Sequence, residues 1–540
     1  AGSNPAGSNP AGSNPAGSNP ADPNPDSAAP APTGFRAAID GADASFIWND
    51  IPGAQKYTLY LAEEPGITPD NYASYRGGKM FDGVTSPFEH AISVGKSYFA
   101  IVTATVNGEE SPPSVEVTVR SQTPLQGGML TLVSRTSSGA ILPKSKGGAQ
   151  EAAISGDGRF VAFSTFSDRV VAGDTNKSRD VFLFDRQSSR TVRISISSEG
   201  REGNGDSHNP SVSGDGRLVV FQSAATNLID SDTNGVDDIF LHDLKTGKTQ
   251  RISVSSTGVE GNGKSDYPVI SDDGNFIAFR SAATNLVEGD TNHKQDIFLY
   301  ERSSGKVTRV SVSSSGEQGN GFSGAPSISG DGRYIAFRTE ASNLHPKGNN
   351  GEPDILVHDR ISGKTEMVSV NSKGEPLWGQ PSNPAISADG RYVVFQSNHG
   401  NVVPNYENWK PDILLHDRKT GETTLIPPGG SAEQQGKTSA NPAISGDGRF
   451  IVFQAERKKM VPGSTSPKQD IFLYDRNSGK VSRVSASSDG GDGSNWATRP
   501  AISKSGKSIA FQSTSRNLVE GDDNGSWDIF VLEQGDSADR

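Results

Sequence analysis

One short run, Ile-Ser-x-Asp-Gly-Arg or a close variant, starts at Ile154, Val212, Ile270, Ile328, Ile386, Ile444 and Ile502, and each step is 58 residues. Self-similarity at a fixed period of this size means that one structural unit is stacked on copies of itself. A second marker, Asp followed by an apolar triplet, keeps the same period at Asp180, Asp238, Asp296, Asp354, Asp412, Asp470 and Asp528. Seven units follow one another without an insertion between markers.

Each unit reads as four strands: Pro326 to Ser329, Tyr334 to Phe337, Asp296 to Tyr300 and Lys306 to Val312 serve as examples. Asp-Gly and Ser-Gly pairs between the runs are hairpin signals, because Gly supplies the positive φ such turns need. Only 32% of the chain is apolar, and Gly (62) and Pro (32) are abundant. The apolar residues nevertheless gather in short β-branched and aromatic runs, which predicts an all-β protein.

The ends of the array decide between an open stack and a ring. The fourth strand carries Arg193, Arg251, Arg309 and Arg483, and its last counterpart falls past the terminal Arg540. One period before Arg193 stands Arg135, in a spare strand that precedes the first unit. Residues 130–137 are therefore expected to complete the last unit and remove the free sheet edges. The expected fold is a seven-bladed β-propeller of four-stranded blades over residues 129–534. The run Ser-x-Asp-Gly-Arg-aromatic-Val/Ile-x-Phe, as in Ser213 to Phe221 and Ser329 to Phe337, resembles the TolB-type, WD-like propeller repeats. That resemblance implies a fold shared by partner-binding modules, peptidase accessory domains and extracellular proteins. TolB repeats are shorter and fewer, so the TolB role is not carried over.

Residues 1–32 hold four copies of Ala-Gly-Ser-Asn-Pro and a Pro/Ala/Asp-rich stretch. No side chain there can build a core, so a tail or linker is expected. The alternative is a segment that docks on a neighbouring copy and builds a homopolymer. Residues 33–122 alternate short strands with Pro, Gly and Asn turns. Trp48, the Gly53-Ala54-x-x-Tyr57 approach, Val94-Gly95-Lys96-Ser97-Tyr98 and Glu110-Ser111-Pro112 resemble a fibronectin type III domain. The resemblance implies a β-sandwich that acts as a spacer.

A net charge of −12 and the absence of a Lys/Arg run argue against a nucleic-acid partner or an anionic membrane surface. No apolar stretch reaches the roughly 20 residues of a membrane helix, so no membrane insertion is expected. With no cysteine, disulfides and thiolate chemistry are excluded. The chain begins at Ala1 and its first methionine is Met80, which suggests a secreted protein with its signal removed, extracellular or at the cell surface, with the periplasm as an alternative.

The best candidate for chemistry is the loop between the second and third strands. In the second blade Asp230, Asp232, Asn234 and Asp238 place an oxygen at alternate positions around Gly235; the third blade has Glu288, Asp290, Asn292 and Asp296. The seventh keeps Glu520, Asp522, Asn524 and Asp528, and the first keeps Asp174, Asn176 and Asp180. This spacing resembles the first half of a calcium loop and suggests structural Ca²⁺. The alternative is an Asx-type turn in which the recurrent Asp only fixes the loop. Trp378, Trp409, Trp496 and Trp527 lie in or beside loops, where an indole can stack on a sugar ring. His242, His358 and His416 share a repeat position with Tyr300, Tyr474 and Phe184, which marks a packing slot and not a base. No organic cofactor is expected. The functional expectation is a non-enzymatic propeller scaffold for a protein or polysaccharide surface. Alternatives are a self-assembling filament or matrix subunit and a carbohydrate-active enzyme with a channel site.

Overall fold

The computed structural model describes residues 29–40, 43–91, 97–120, 128–144, 148–230, 232–348, 351–398, 401–402, 411–427, 439–460, 466–487 and 493–535. The repeats of residues 1–28, Val94 to Lys96 and Trp409 lie outside them. The chain divides into two compact units, Ala1–Ser121 and Gln122–Arg540.

The first unit is a sandwich of two antiparallel sheets. One joins Arg36–Asp40, Asp43–Ile47 and Phe88–Ala91; the other is built on Ala54–Ala62 and Ser97–Val106. Alternate residues of these strands turn Phe46, Leu59, Leu61, Ala100 and Val102 inward, as a two-faced strand requires. Trp48 packs on Tyr57 with ring centroids 5.4 Å apart.

The second unit is the propeller. Six four-stranded sheets follow in order along the chain, and a seventh combines Ala497–Ile502, Ser508–Ser513 and Asp528–Gln534 with Gly128–Leu132 from the beginning of the unit. The closing strand is shorter than expected, and its register differs from the sequence reading. The Val133 N–H donates to the Ile529 carbonyl just as Ile194 donates to Val181. Leu132, not Arg135, thus takes the place of Arg193. Arg135 instead donates to the carbonyls of Leu132 and Gly139. The connector after the closing strand is three residues longer than its sisters, which a fixed period hides.

Each repeat motif has a mechanical reason. In the first blade the Ser155 hydroxyl donates to Asp157 Oδ1 (2.5 Å) and accepts the Phe160 N–H (2.9 Å), which clamps the turn. Gly216, the turn glycine of the second blade, has φ +72°, and a Cβ there would fall 1.9 Å from the Phe160 ring of the preceding blade. The motif Arg reaches the end of the third strand: Arg159 makes two 2.7 Å bonds to Asp185. Within a blade, second- and third-strand phenylalanines such as Phe221 and Phe240 stack at 5.9 Å and are fully buried against the preceding blade, each contributing roughly 2–3 kcal/mol.

The outer edge of the blades is also covered. Ser314 Oγ accepts the Thr365 N–H at 2.9 Å and donates to its carbonyl at 3.1 Å, and Ser198, Ser256 and Ser372 do the same for Thr249, Val307 and Thr423. A hydroxyl from one blade therefore occupies the ladder positions that an edge strand would offer to another chain.

Candidate functional site

The first strands neighbour one another round the axis, from the first blade back to the seventh. At the hairpin end they are tied by backbone bonds: Gly214 N–H to Asp272 O, Asp272 to Gly330, Gly330 to Ala388, Ala388 to Gly446 and Gly446 to Lys504, all 2.9–3.0 Å. Asp157 N–H to Gly214 O and Ser505 N–H to Gly156 O, both 3.3 Å, complete the circle. Small residues dominate this ring because the strands converge; a Cβ on Gly330 would lie 2.5 Å from Asp272 Oδ2. Lys504 Nζ lies 3.5 Å from Asp272 Oδ1, so two side chains span this end of the channel.

At the opposite end, where the long loops lie, every first strand carries a bulge with a non-glycine residue at positive φ: Glu151, Asn209, Tyr267, Ala325, Asn383, Asn441 and Arg499, at +49° to +62°. Such backbone is strained and needs support. Side chains of the preceding blade supply it: Gln512, Gln396 and Gln454 accept the N–H of Glu151, Asn441 and Arg499, and Glu151 Oε2 accepts that of Asn209. The ring side chains meet one another, Asn383 Nδ2 donating to Asn441 Oδ1 at 3.0 Å. Sequence reading missed this belt. Its signal was present, because these positions vary between blades that are otherwise alike.

In the loops expected to hold calcium, the acids divide between solvent and interior. Asp230, Glu288 and Glu520 are exposed, while Asp232, Asp290 and Asp522 turn inward. In the first three blades the inward Asp faces a buried guanidinium: Asp174 to Arg193 at 3.4 Å, Asp232 to Arg251 at 3.5 Å and Asp290 to Arg309 at 3.2 Å. Arg251 also lies 3.3 Å from Asp238 and 2.8 Å from Glu260. Asn176, Asn234, Asn292 and Asn524 each accept an N–H two residues on and donate to Asp180, Asp238, Asp296 and Asp528. This is the geometry of an Asx turn. Asp180 is completely buried, with the Ser195 hydroxyl on Oδ1 at 2.5 Å. Among the described residues no cluster of three His, Cys, Asp or Glu is arranged to hold a metal.

The Arg and the inward acid vary between the remaining blades. The fourth blade has Met367 in place of the Arg and Gly348 in place of the inward Asp, and burial there raises the Asp354 carboxyl to about 6. The sixth keeps Arg483, 3.8 Å from Asp470, with Ser464 at the inward-Asp position in sequence, and Arg457 from another element adds two bonds to Asp470 at 2.5 and 2.9 Å. In the seventh, Leu132 stands at the Arg position; burial raises Asp528 to about 7, and Asp522 Oδ1 is buried without a hydrogen-bond partner.

His242, His358 and His416 are buried, and burial lowers their pKa. Each faces a Thr hydroxyl through Nδ1 at 2.8–2.9 Å, and that hydroxyl donates to a backbone carbonyl of the neighbouring blade. The hydroxyl has given its proton away, so Nδ1 must donate. Where Tyr300 and Tyr474 take the slot, the facing residue is Val307 and Val481.

Trp378 is 68% exposed and Trp496 42%, while Trp527 is half-buried. Asn204, Asn262 and Asn320 occupy the Trp378 position in earlier blades, where each clamps two loops: Asn204 Nδ2 donates to Thr226 Oγ1 and its Oδ1 accepts the Thr226 N–H. Trp378 gives up that clamp and presents an indole.

Solved structures similar to the chain include TolB of Agrobacterium tumefaciens (16% identity, 56% of this chain, 87% of that one, TM-score 0.35) and TolB of Acinetobacter baumannii (15%, 72%, 79%, 0.32). A GH74 xyloglucanase of Xanthomonas campestris is similar at 10% identity, over 72% of this chain and 54% of that one, with a TM-score of 0.41. The likeness is one of fold. No family model and no curated protein matches the chain.

Proposed function

We propose that the chain is a non-enzymatic binding scaffold whose contact surface is the propeller face bearing the long loops. Trp378 carries this reading. The repeat supplies its own reference, and against three sister blades the fifth has exchanged an internal Asn clamp for a solvent-facing indole. A flat ring with one N–H suits a sugar or an apolar partner face. The neutral, hydrogen-bonded histidines support the non-enzymatic side of the reading. Affinity electrophoresis against neutral and acidic polysaccharides tests it: the wild type is retarded by at least one, and Trp378→Ala loses tenfold or more in affinity with an unchanged Tm. Failure of the whole panel to retard the wild type, or release of reducing ends from a retarding polymer, overturns the proposal.

A further inference from the structure

The loop-side mouth of the channel pairs exposed aromatic rings with arginines on opposite sides. On the seventh blade Trp496, 42% exposed, directly precedes the strand of Arg499, whose side chain is 54% exposed. Arg499, Arg179 and His208 all approach one oxygen, Glu151 Oε1, at 3.8, 3.5 and 4.0 Å. A single carboxylate therefore serves two guanidiniums and an imidazole, and Arg179 Nε is buried without a hydrogen-bond partner. On the third and fourth blades Tyr267 is 49% exposed with the Arg280 guanidinium 4.7 Å over its ring. Arg280 and Arg338 both lie against Phe322, at 5.3 and 5.7 Å.

These arginines are departures from the repeat. The position of Arg280 and Arg338 is Gln in the second, fifth, sixth and seventh blades (Gln222, Gln396, Gln454, Gln512), where the amide serves the neighbouring strand or loop. Arg280 is matched by Asp266 through two 2.6 Å bonds, and Arg338 by the half-exposed Glu340 at 2.9 Å. On the Glu151 side Arg179 and Arg499 share one carboxylate, with Asp206 accepting the Arg179 backbone N–H, and Arg499 keeps a side chain 54% exposed. Because Lys504 and Asp272 span the far end, a ligand at this mouth lies across it and does not thread the channel.

We infer that the mouth binds an acidic polysaccharide, a chain of uronate-type sugars. This rests on the scaffold reading above and deepens it. The apolar face of a sugar ring stacks on Trp496 and on Tyr267, while its carboxylate meets the exposed guanidinium of Arg499, which lies 3.8 Å from the Glu151 carboxylate it shares and recognises carboxylates through paired N–H donors. A neutral sugar uses the rings and leaves the exposed Arg499 unanswered; an acidic peptide uses the guanidinium and leaves the rings idle.

Isothermal titration in about 0.1 M salt with polygalacturonate, dextran and poly-glutamate separates these cases. Polygalacturonate is expected to bind at least tenfold more tightly than the other two. Trp496→Ala and Arg499→Gln are each expected to weaken it tenfold or more, with Arg499→Lys intermediate and the Tm of every variant kept. Tyr267→Ala gives a second readout on the other side of the mouth, should Trp496→Ala disturb folding. Equal binding of poly-glutamate, or equal binding of dextran with Arg499→Gln unaffected, overturns the inference. So does polygalacturonate binding that responds only to Trp378→Ala, although the scaffold reading then stands. No binding of any polysaccharide in the wider panel overturns both.

Discussion

Lys504 of the seventh blade and Asp272 of the third face each other at 3.5 Å across the hairpin end of the channel. Both side chains are about one-third exposed (33% and 31%), so solvent screens the pair and its own worth is small, about 0–1 kcal/mol. Its sign is testable. Lys504→Asp should lower the Tm by placing two carboxylates together, and the swap Lys504→Asp with Asp272→Lys should restore it. A double-mutant cycle by thermal unfolding checks both.

Arg251 is the cation that the second-blade loop is built around. Arg251→Met should cost about 3–5 kcal/mol, because it strands buried carboxylates. Adding Asp232→Gly, the pairing that the fourth blade uses with Met367 and Gly348, should recover more than half of the loss. Chemical denaturation of the two variants measures this.

In the first three blades a guanidinium faces the inward Asp, and we expect it to stand in place of a metal. The Tm in millimolar calcium and in chelator should agree to within about 1 °C, where an ion bound only by the folded state would raise it by mass action. A clear rise with calcium would return Asp522 and Asp528 of the seventh blade to the list of ligands.

Asp528 gives a pH dependence whose sign is fixed by burial, assisted by the charge of Asp522. Its folded carboxyl is raised to about 7, while an unfolded Asp titrates near about 3.9. Between those values the folded state holds more protons, so stability falls as pH rises. The stability of the wild type relative to Asp528→Asn should decline from about pH 4 to 7 and be flat above. Urea midpoints at a series of pH values test it.

The hydroxyl staple between blades is testable at Ser314. Ser314→Ala removes the partner of the Thr365 backbone N–H and carbonyl at the outer edge and should cost about 1 kcal/mol, read from denaturant unfolding. Ser314→Thr should be milder.

The blades were legible because their markers are local: a Ser, an Asp and a Gly within one turn repeat wherever the turn repeats. The closing strand was legible in existence and not in register, since Val133 and Ile194 are equivalent only after three residues that leave no motif. The Asp and Asn of the second-to-third-strand loops were visible, but their partner Arg251 lies on another strand. Alternation along a loop is the same whether the carboxylates surround a metal or a guanidinium. The co-occurrence of Arg193, Arg251 and Arg309 with those acids, and of Met367 with Gly348, was the available signal. The belt of Glu151, Tyr267 and Arg499 sits at a repeat position whose residues differ in kind, so it announces itself only when blades are compared with one another.

The equal length of the units, with closure supplied from outside the array, bears on how such a gene can change. Recombination between two copies removes or adds one whole blade and leaves every turn, staple and strand order intact, so the array can alter its number without altering its local grammar. The Lys504 and Asp272 contact does not share that freedom. It joins blades that must stand across from each other, and a ring of another size would pull them out of opposition. One pair of side chains thus ties a ring of otherwise interchangeable units to its present number of blades.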